Sequence, residues 1–311
     1  IAGAINIILK QKATSTQELK TSWAQAGGQG SQVLEGQWSA KHAAWSWGLG
    51  SSLAKERNEW ISAISQIGLD PNDADLVRTR RRTDKNELVR TETVSLAPRI
   101  AWKPSDASSL NVDLLARFRR TRSGVQDART MLAGDPPLYA ANDLLLKVEN
   151  TSVRSRLSWA RQLSKDTRLE IRSGLQYGRR PSDARFFGFD ADGDTVLDEH
   201  TTGEATDTSL TLAGKLRTAI DDHSLAAGWD AERGRRDESR IQRQSAPAGY
   251  PALDLDEIYD ARVDRLAMFV QDEWEIRQGL TTYMGVRWEG LRTHSDGNGI
   301  LAVANRSSVF S

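Results

Sequence analysis

The chain has 311 residues, of which 38% are hydrophobic and 27% are charged, and its mean hydropathy is −0.54. Its 42 basic and 42 acidic residues cancel, which argues against a general nucleic-acid binder, and without cysteine it has neither disulfides nor thiolate metal sites. No run approaches the roughly 18 apolar residues of a membrane-spanning helix, which excludes a helical membrane protein but not a transmembrane β-barrel.

The chain begins with a short apolar run and then changes to alternating segments. Ile1–Lys10 fits a buried strand. From Thr16 onward, polar and apolar side chains alternate with period two, as they do along amphipathic strands. We expect about eleven such strands, connected up and down.

The predicted connections are alternately short and long. The short ones lie near Lys41–Ala44, Lys103–Ser109, Gln162–Thr167, Ile220–His223 and Arg277–Gly279. The long ones lie near Asn58–Glu87, Arg122–Ala141, Pro181–Gly203 and Arg235–Ala261, with a much shorter one at Gly27–Gly30. Transmembrane barrels have short inner turns and long outer loops, whereas a soluble sandwich has no reason for this asymmetry.

The two faces of the predicted strands differ in polarity. In Leu110–Arg119, five apolar side chains oppose Asn111, Asp113, Arg117 and Arg119. We predict that the apolar face meets lipid and that the polar face lines a lumen. The predicted lumen carries the basic side chains Arg117, Arg119, Arg168, Arg172, Lys215, Arg217 and Arg287. A lumen this polar is either a channel or filled by a polar plug.

Tryptophans cluster beside the short turns. Trp102, Trp159 and Trp274 precede three of them, and Trp45 and Trp47 follow another. Indole rings at one height suit a membrane interface, so the sequence predicts an inner aromatic girdle. The alternative is that these rings close one end of a soluble sandwich.

The segment Leu266–Leu291 predicts a β-hairpin with its turn at Arg277–Gly279. Asp272 alone interrupts the apolar row of its first arm. We expect this carboxylate at the membrane interface or beside a β-bulge, because a charge at mid-membrane facing lipid would contradict the predicted register.

Two segments resemble the TonB-dependent outer-membrane receptors. Ile1–Lys10, IAGAINIILK, resembles the end of that family's plug domain, and Met268–Trp288, MFVQDEWEIRQGLTTYMGVRW, resembles its mid-barrel hairpin. The resemblance implies that residues 1–12 end a plug and that residues 13–311 form the first half of a barrel of about 22 strands. On this interpretation the sequence is a fragment without the signal peptide, the periplasmic box, most of the plug and the last strands.

The resemblance also implies a function in the outer membrane of a Gram-negative bacterium. The expected activity is uptake of a scarce large nutrient such as a ferric siderophore, cobalamin or a glycan. The expected partners are membrane lipid and a periplasmic TonB-type energy-transducing protein, which would engage the missing N-terminal region. The alternatives are a passive porin, which has no reason for a plug-like strand at Ile1–Lys10, and a soluble β-rich binding module.

One acidic segment has the spacing of a cation-binding loop. Four carboxylates stand at positions 1, 3, 5 and 9 of a calcium-loop pattern, namely Asp190, Asp192, Asp194 and Asp198. Thr195 replaces the usual glycine and Thr201 the usual bidentate glutamate, so the segment is either a solvated acidic turn or a weak Ca²⁺ site. No other cofactor is expected.

A basic cluster and four scattered histidines complete the candidate residues. Arg78, Arg80, Arg81, Arg82 and Lys85 either contact phosphates of lipopolysaccharide or an anionic ligand, or are offset in solvent by Asp70, Asp73, Asp75 and Asp84. The histidines show no metal-ligand spacing. We find no nucleophile, phosphate loop or acid pair with a supporting base, so the sequence predicts no enzyme.

Overall fold

The computed structural model of the chain describes residues 15–70, 73–247 and 252–311 and shows one antiparallel sheet. Each strand pairs with the next in the chain, and in the described residues the first and last strands form the sheet edges. The twelve strands are β1 (Ser15–Ala26), β2 (Gln29–His42), β3 (Trp45–Asp70), β4 (Asp73–Ser105), β5 (Ser108–Ala133), β6 (Ala141–Gln162), β7 (Thr167–Phe189), β8 (Thr195–Ile220), β9 (His223–Ser245), β10 (Leu253–Arg277), β11 (Leu280–Gly297) and β12 (Ile300–Phe310).

The predicted all-β, up-and-down architecture is confirmed, with one strand more than the sequence indicated. The segment after Leu291 has the composition of a loop, but β11 continues to Gly297 and β12 pairs with it. The plug-like segment, residues 1–12, lies outside the described residues. The described residues include no helix long and apolar enough to cross a membrane, a finding without bearing on crossing by strands.

All five predicted short turns are confirmed, at residues 43–44, 106–107, 163–166, 221–222 and 278–279. We call this end of the sheet the inner end. The predicted long loops were wrong in kind, because most of their described residues are paired strand. Among the residues of these segments that the structure describes, those outside strands are 134–140, 190–194, 246–247 and 252. Beyond the apolar band the two faces no longer differ in polarity, as on β3, where Ile61 and Ile64 are exposed on opposite faces. The period-two contrast that identifies a strand in the sequence therefore disappears there.

The apolar face of the sheet is not covered by a second layer. Its side chains are exposed on strand after strand, including Leu53, Val94, Leu157 and Val270. Among the residues that the structure describes, the buried hydrophobic ones are Leu197 and three alanines. A soluble sandwich would bury such a face against another sheet. On β5 the apolar side chains from Leu110 to Phe118 are partly exposed, and this span of nine residues matches the length of a transmembrane strand.

The register gives the tilt of the strands. Trp45, Ile171 and Trp288 lie on one cross-strand row that runs from β3 to β11. They stand one, five and nine residues from the inner turns at 44, 166 and 279. The row therefore climbs about one residue, or ~3.3 Å, per strand spacing of ~4.8 Å. This corresponds to a tilt of about 35°, which is within the range of transmembrane barrels.

Candidate functional site

The polar face of the sheet is concave and forms the candidate functional site. A cavity of about 1210 Å³ lies against it between β2 and β8. All seven basic residues predicted for the lumen lie on this face, because the register aligns their strands; for example, Arg168 pairs with Arg217. The polar residues that line the cavity include Gln37, Arg99, Asp113, Arg154, Arg156 and Arg172. Such a surface suits contact with water, a polar plug or a polar ligand.

Most charges on the concave face are neutralised within the wall. Arg168 donates to Glu170 at 3.0 Å. Arg265 is shared among three carboxylates, with Asp230 at 3.1 Å and Glu232 and Glu289 each at 3.7 Å. These side chains are partly exposed to solvent, so the pairs contribute modestly to stability. Their effect is to remove net charge from much of the concave face.

Several cations on the concave face have no ion pair in the described residues, among them Lys215 and Arg217 on β8. Four others are arginines on β5 and β6, and we call them the lumen arginines: Arg117, Arg119, Arg154 and Arg156. Their side chains are exposed, and none forms an ion pair within the part of the chain that the structure describes. Arg117 pairs with Ser152 and is therefore diagonal to Arg154, whereas Arg119 pairs with Asn150, six residues from Arg156. The four charges thus form a band about 20 Å long on two adjacent strands. A local excess of positive charge on a concave surface attracts anions. The sequence did not identify Arg154 and Arg156, because serines on both faces of β6 weaken its alternation.

Asp272 is accommodated near the inner end of the sheet. Its Oδ2 lies 2.7 Å from Nδ1 of His223, which directly follows the β8–β9 turn. The His223 ring also stacks on Trp274, with centroids 5.3 Å apart and planes 10° from parallel. A β-bulge lies between Glu275 and Arg277, and it begins three residues after Asp272. A histidine from the turn thus supplies the polar partner that a carboxylate on the lipid-facing row requires.

Loss of the histidine partner should destabilise the protein more than loss of both polar groups. We expect His223→Phe, which keeps an aromatic ring beside Trp274, to lower the free energy of unfolding by about 1–3 kcal/mol, because the Asp272 carboxyl group loses its hydrogen-bond partner. The double variant with Asp272→Leu should recover most of this loss. Denaturant unfolding of the full-length protein in phospholipid vesicles measures both. Additive losses in the two single variants would show that the contact is not a coupled pair.

Tryptophans lie at a common height above the inner turns. Trp102, Trp159 and Trp274 each precede the first residue of their turn by four positions, which is ~11 Å of height at the inferred tilt. Trp45 stacks on Trp102 with ring centroids 5.1 Å apart. The predicted inner girdle is consistent with this arrangement.

The acidic segment forms a tight turn between β7 and β8. Oδ1 of Asp190 accepts hydrogen bonds from the backbone N–H groups of Asp192 and Asp194, at 3.0 and 2.9 Å. Gly193 has a φ of 89°, a conformation that glycine adopts without strain. Across the described ranges, no three acidic or histidine side chains converge as a metal site requires. Calcium binding by Asp190, Asp192, Asp194 and Asp198 stays a prediction.

The basic cluster lies on the outer extension of β4 and is partly neutralised there. Arg82 contacts Asp84 at 2.8 Å, and Arg81 hydrogen-bonds to Gln66 on β3. The Lys85 ammonium hydrogen-bonds to the carboxylate of Glu87 at 2.8 Å, and this contact raises the pKa of Lys85. These contacts favour the interpretation in which neighbouring acids offset the cluster.

The comparisons with known proteins agree with this architecture. The family described as "TonB dependent receptor-like, beta-barrel" matches residues 93–311. Among solved structures, the chain is similar to the unliganded ferric citrate transporter FecA, with 7% identity, a TM-score of 0.37 and coverage of 95% of this chain and 56% of that one. It is also similar to BauA, the ferric preacinetobactin receptor from Acinetobacter baumannii, with 9% identity, a TM-score of 0.34 and coverage of 96% of this chain and 61% of that one.

The chain thus spans about three fifths of the length of these two structures. No curated protein matches it. The family match covers well over half of the chain and includes the strands that carry both the exposed apolar band and the lumen arginines. The chain belongs to the TonB-dependent receptor-like β-barrel family, whose members lie in the outer membrane of Gram-negative bacteria.

Proposed function

We propose that the whole protein is an active transporter for a scarce large nutrient, and that its cargo is an anionic ferric complex such as a ferric siderophore. In this proposal residues 1–12 end a plug domain, and residues 13–311 form the first part of a barrel of about 22 strands. A periplasmic TonB-type protein would act on the plug through a region outside this sequence. The chain has a receptor role, and we propose no catalytic one.

The observation that carries the choice of cargo is the group of lumen arginines. Four exposed cations without ion pairs in the described residues lie on two adjacent strands and give that part of the concave face a positive potential. A negatively charged ferric complex gains from that potential as it passes or binds. Neutral cobalamin or an uncharged glycan would gain much less, so these cargoes are the less favoured ones.

Uptake by cells should distinguish this transporter from a passive porin. We expect a strain producing the full-length protein as its sole receptor to take up at least one anionic ferric complex saturably. A protonophore should reduce that uptake at least about tenfold, because the proposed plug movement depends on the inner-membrane proton gradient. The measurement is initial-rate uptake of radioactive iron, with cobalamin and a glycan tested in parallel.

Substitutions that remove lumen charge test whether the lumen arginines attract the anionic complex. Arg154→Gln with Arg156→Gln should raise the concentration for half-maximal uptake of the anionic complex about 30-fold, since each of the two lost charges removes ~1 kcal/mol of attraction at close range, or about fivefold. The control is Arg233→Gln with Arg235→Gln, two arginines on the opposite face of β9. Uptake that persists in the presence of the protonophore would instead support a passive porin.

A further inference from the structure

A row of four like charges crosses the lipid-facing side of the sheet above its apolar band. The register pairs Arg57 with Arg90, Arg90 with Arg122, and Arg122 with Lys147, on the adjacent strands β3, β4, β5 and β6. All four side chains are exposed. They lie on the same face of the sheet as Leu53, Val94 and Phe118. These three residues pair across the same strands, four residues closer to the inner end. We call these four residues the cationic row.

The cationic row differs from the row just below it. There Lys55, Glu92, Arg120 and Glu149 alternate in sign across the same four strands. Alternating charges stabilise neighbouring strands, whereas like charges directly opposite each other destabilise them. The sheet therefore uses charge alternation at one level and omits it at the next, two residues further out.

The acids near the cationic row leave its centre uncompensated. Arg57 contacts Glu59 at 3.2 Å, and Lys147 contacts Glu149 at 3.3 Å. Arg90 and Arg122 have no ion-pair partner in the described ranges, although they oppose one another on neighbouring strands. Two exposed guanidinium groups side by side are suited to bidentate contacts with phosphate oxygens.

The height of the cationic row identifies its environment. Its residues stand 13 to 16 positions from the inner turns, which at the inferred tilt is ~35–43 Å above them. A bilayer with its headgroups is about 40–45 Å thick. The row is therefore level with the outer headgroups, and a lipid bound there would lay its acyl chains along the apolar band below.

We propose that the cationic row binds the phosphorylated headgroup of an outer-leaflet glycolipid, with Arg90 and Arg122 as the principal phosphate ligands. This inference goes beyond the proposed transport function and depends only on the apolar face being the lipid-facing one. The occupant is a lipid because the row continues the lipid-facing band outward and lies on the side opposite the lumen.

Lipid titration of the full-length receptor tests this proposal. The probe is synthetic lipid A with both phosphates, added to the receptor in detergent and followed by native mass spectrometry. We expect Arg90→Gln with Arg122→Gln to weaken its binding about 30-fold, from about fivefold per basic residue near an anionic lipid headgroup. Arg168→Gln with Arg172→Gln, on the lumen face of β7 and not among the lumen arginines, should leave it unchanged.

Two further arms keep the test decisive if the variant folds poorly. Unaltered receptor should bind dephosphorylated lipid A at least about tenfold more weakly, and Arg90→Lys with Arg122→Lys should retain most of the binding. Equal binding of the two lipids, or unchanged binding in the folded glutamine variant, would overturn the proposal. Equal occupancy by inorganic phosphate at the same concentration would also overturn it, because it would assign the row to soluble anions. None of these outcomes depends on nutrient uptake.

Discussion

Leu114→Arg should destabilise the folded barrel by about 2–4 kcal/mol, the loss expected for a cation at the middle of a lipid-facing strand. Leu114 is the central residue of the apolar row on β5, from Leu110 to Phe118, and it stands seven positions above the inner turn. At this depth a guanidinium group meets hydrocarbon on all sides that protein does not cover. The side chain can reach water only by bending toward the interface, which lowers the penalty without removing it.

Leu115→Arg is the matched control, because it makes the same change one residue further along the strand. Leu115 lies on the concave face and pairs with Arg154, so a new arginine there is solvated. Repulsion from Arg154 should limit the loss to under about 1 kcal/mol. Denaturant titration of the full-length protein folded into phospholipid vesicles, monitored by tryptophan fluorescence, gives both values. Equal losses, or a larger loss for Leu115→Arg, would reverse the assignment of the two faces.

The assignment of faces was predictable because it depends on local alternation. On β5 every second residue is apolar over the thickness of a membrane, and a strand shows its faces with period two. The inner turns were predictable for the same reason, since the alternation stops at each of them. Where the strands leave the membrane, as in the outer part of β4, both faces are wet and the pattern ends although the pairing continues.

Features that depend on register between distant residues were not predictable. Arg57 and Lys147 belong to one row only because three strand pairs align them, and no segment of the sequence contains that information. The same holds for the contact between His223 and Asp272, which are 49 residues apart. The sequence identified Asp272 as a residue requiring an explanation, and the structure supplied the partner.

A second long-range contact joins β9 and β10 on the concave face, where Phe269 is an aromatic residue among polar ones. It pairs with Gly228, and the ring lies where a side chain on that glycine would project. The ammonium of Lys215 lies 5.7 Å from the centre of the same ring. An aromatic ring that covers a glycine on the neighbouring strand restores packing that the glycine cannot supply.

Gly228→Val should therefore destabilise the barrel by about 1–3 kcal/mol, the range for overpacking of a filled site. A Cβ atom at Gly228 would lie 2.4 Å from the carbonyl oxygen of Gly214 and 2.6 Å from the Phe269 ring. The ring can rotate away, but the carbonyl oxygen belongs to the backbone of β8 and can move only if the two strands separate. The backbone contact thus accounts for most of the expected loss.

Gly234→Val is the control for this prediction, because Gly234 lies on the same strand and face with its nearest atom 3.9 Å from an added Cβ. We expect it to change the free energy of unfolding by less than about 0.5 kcal/mol, as is usual for an open surface position. Combining Gly228→Val with Phe269→Ala separates the two contacts. If the ring were the main obstacle, its removal would restore stability; if the backbone carbonyl is, the double variant stays at least as unstable as Gly228→Val alone.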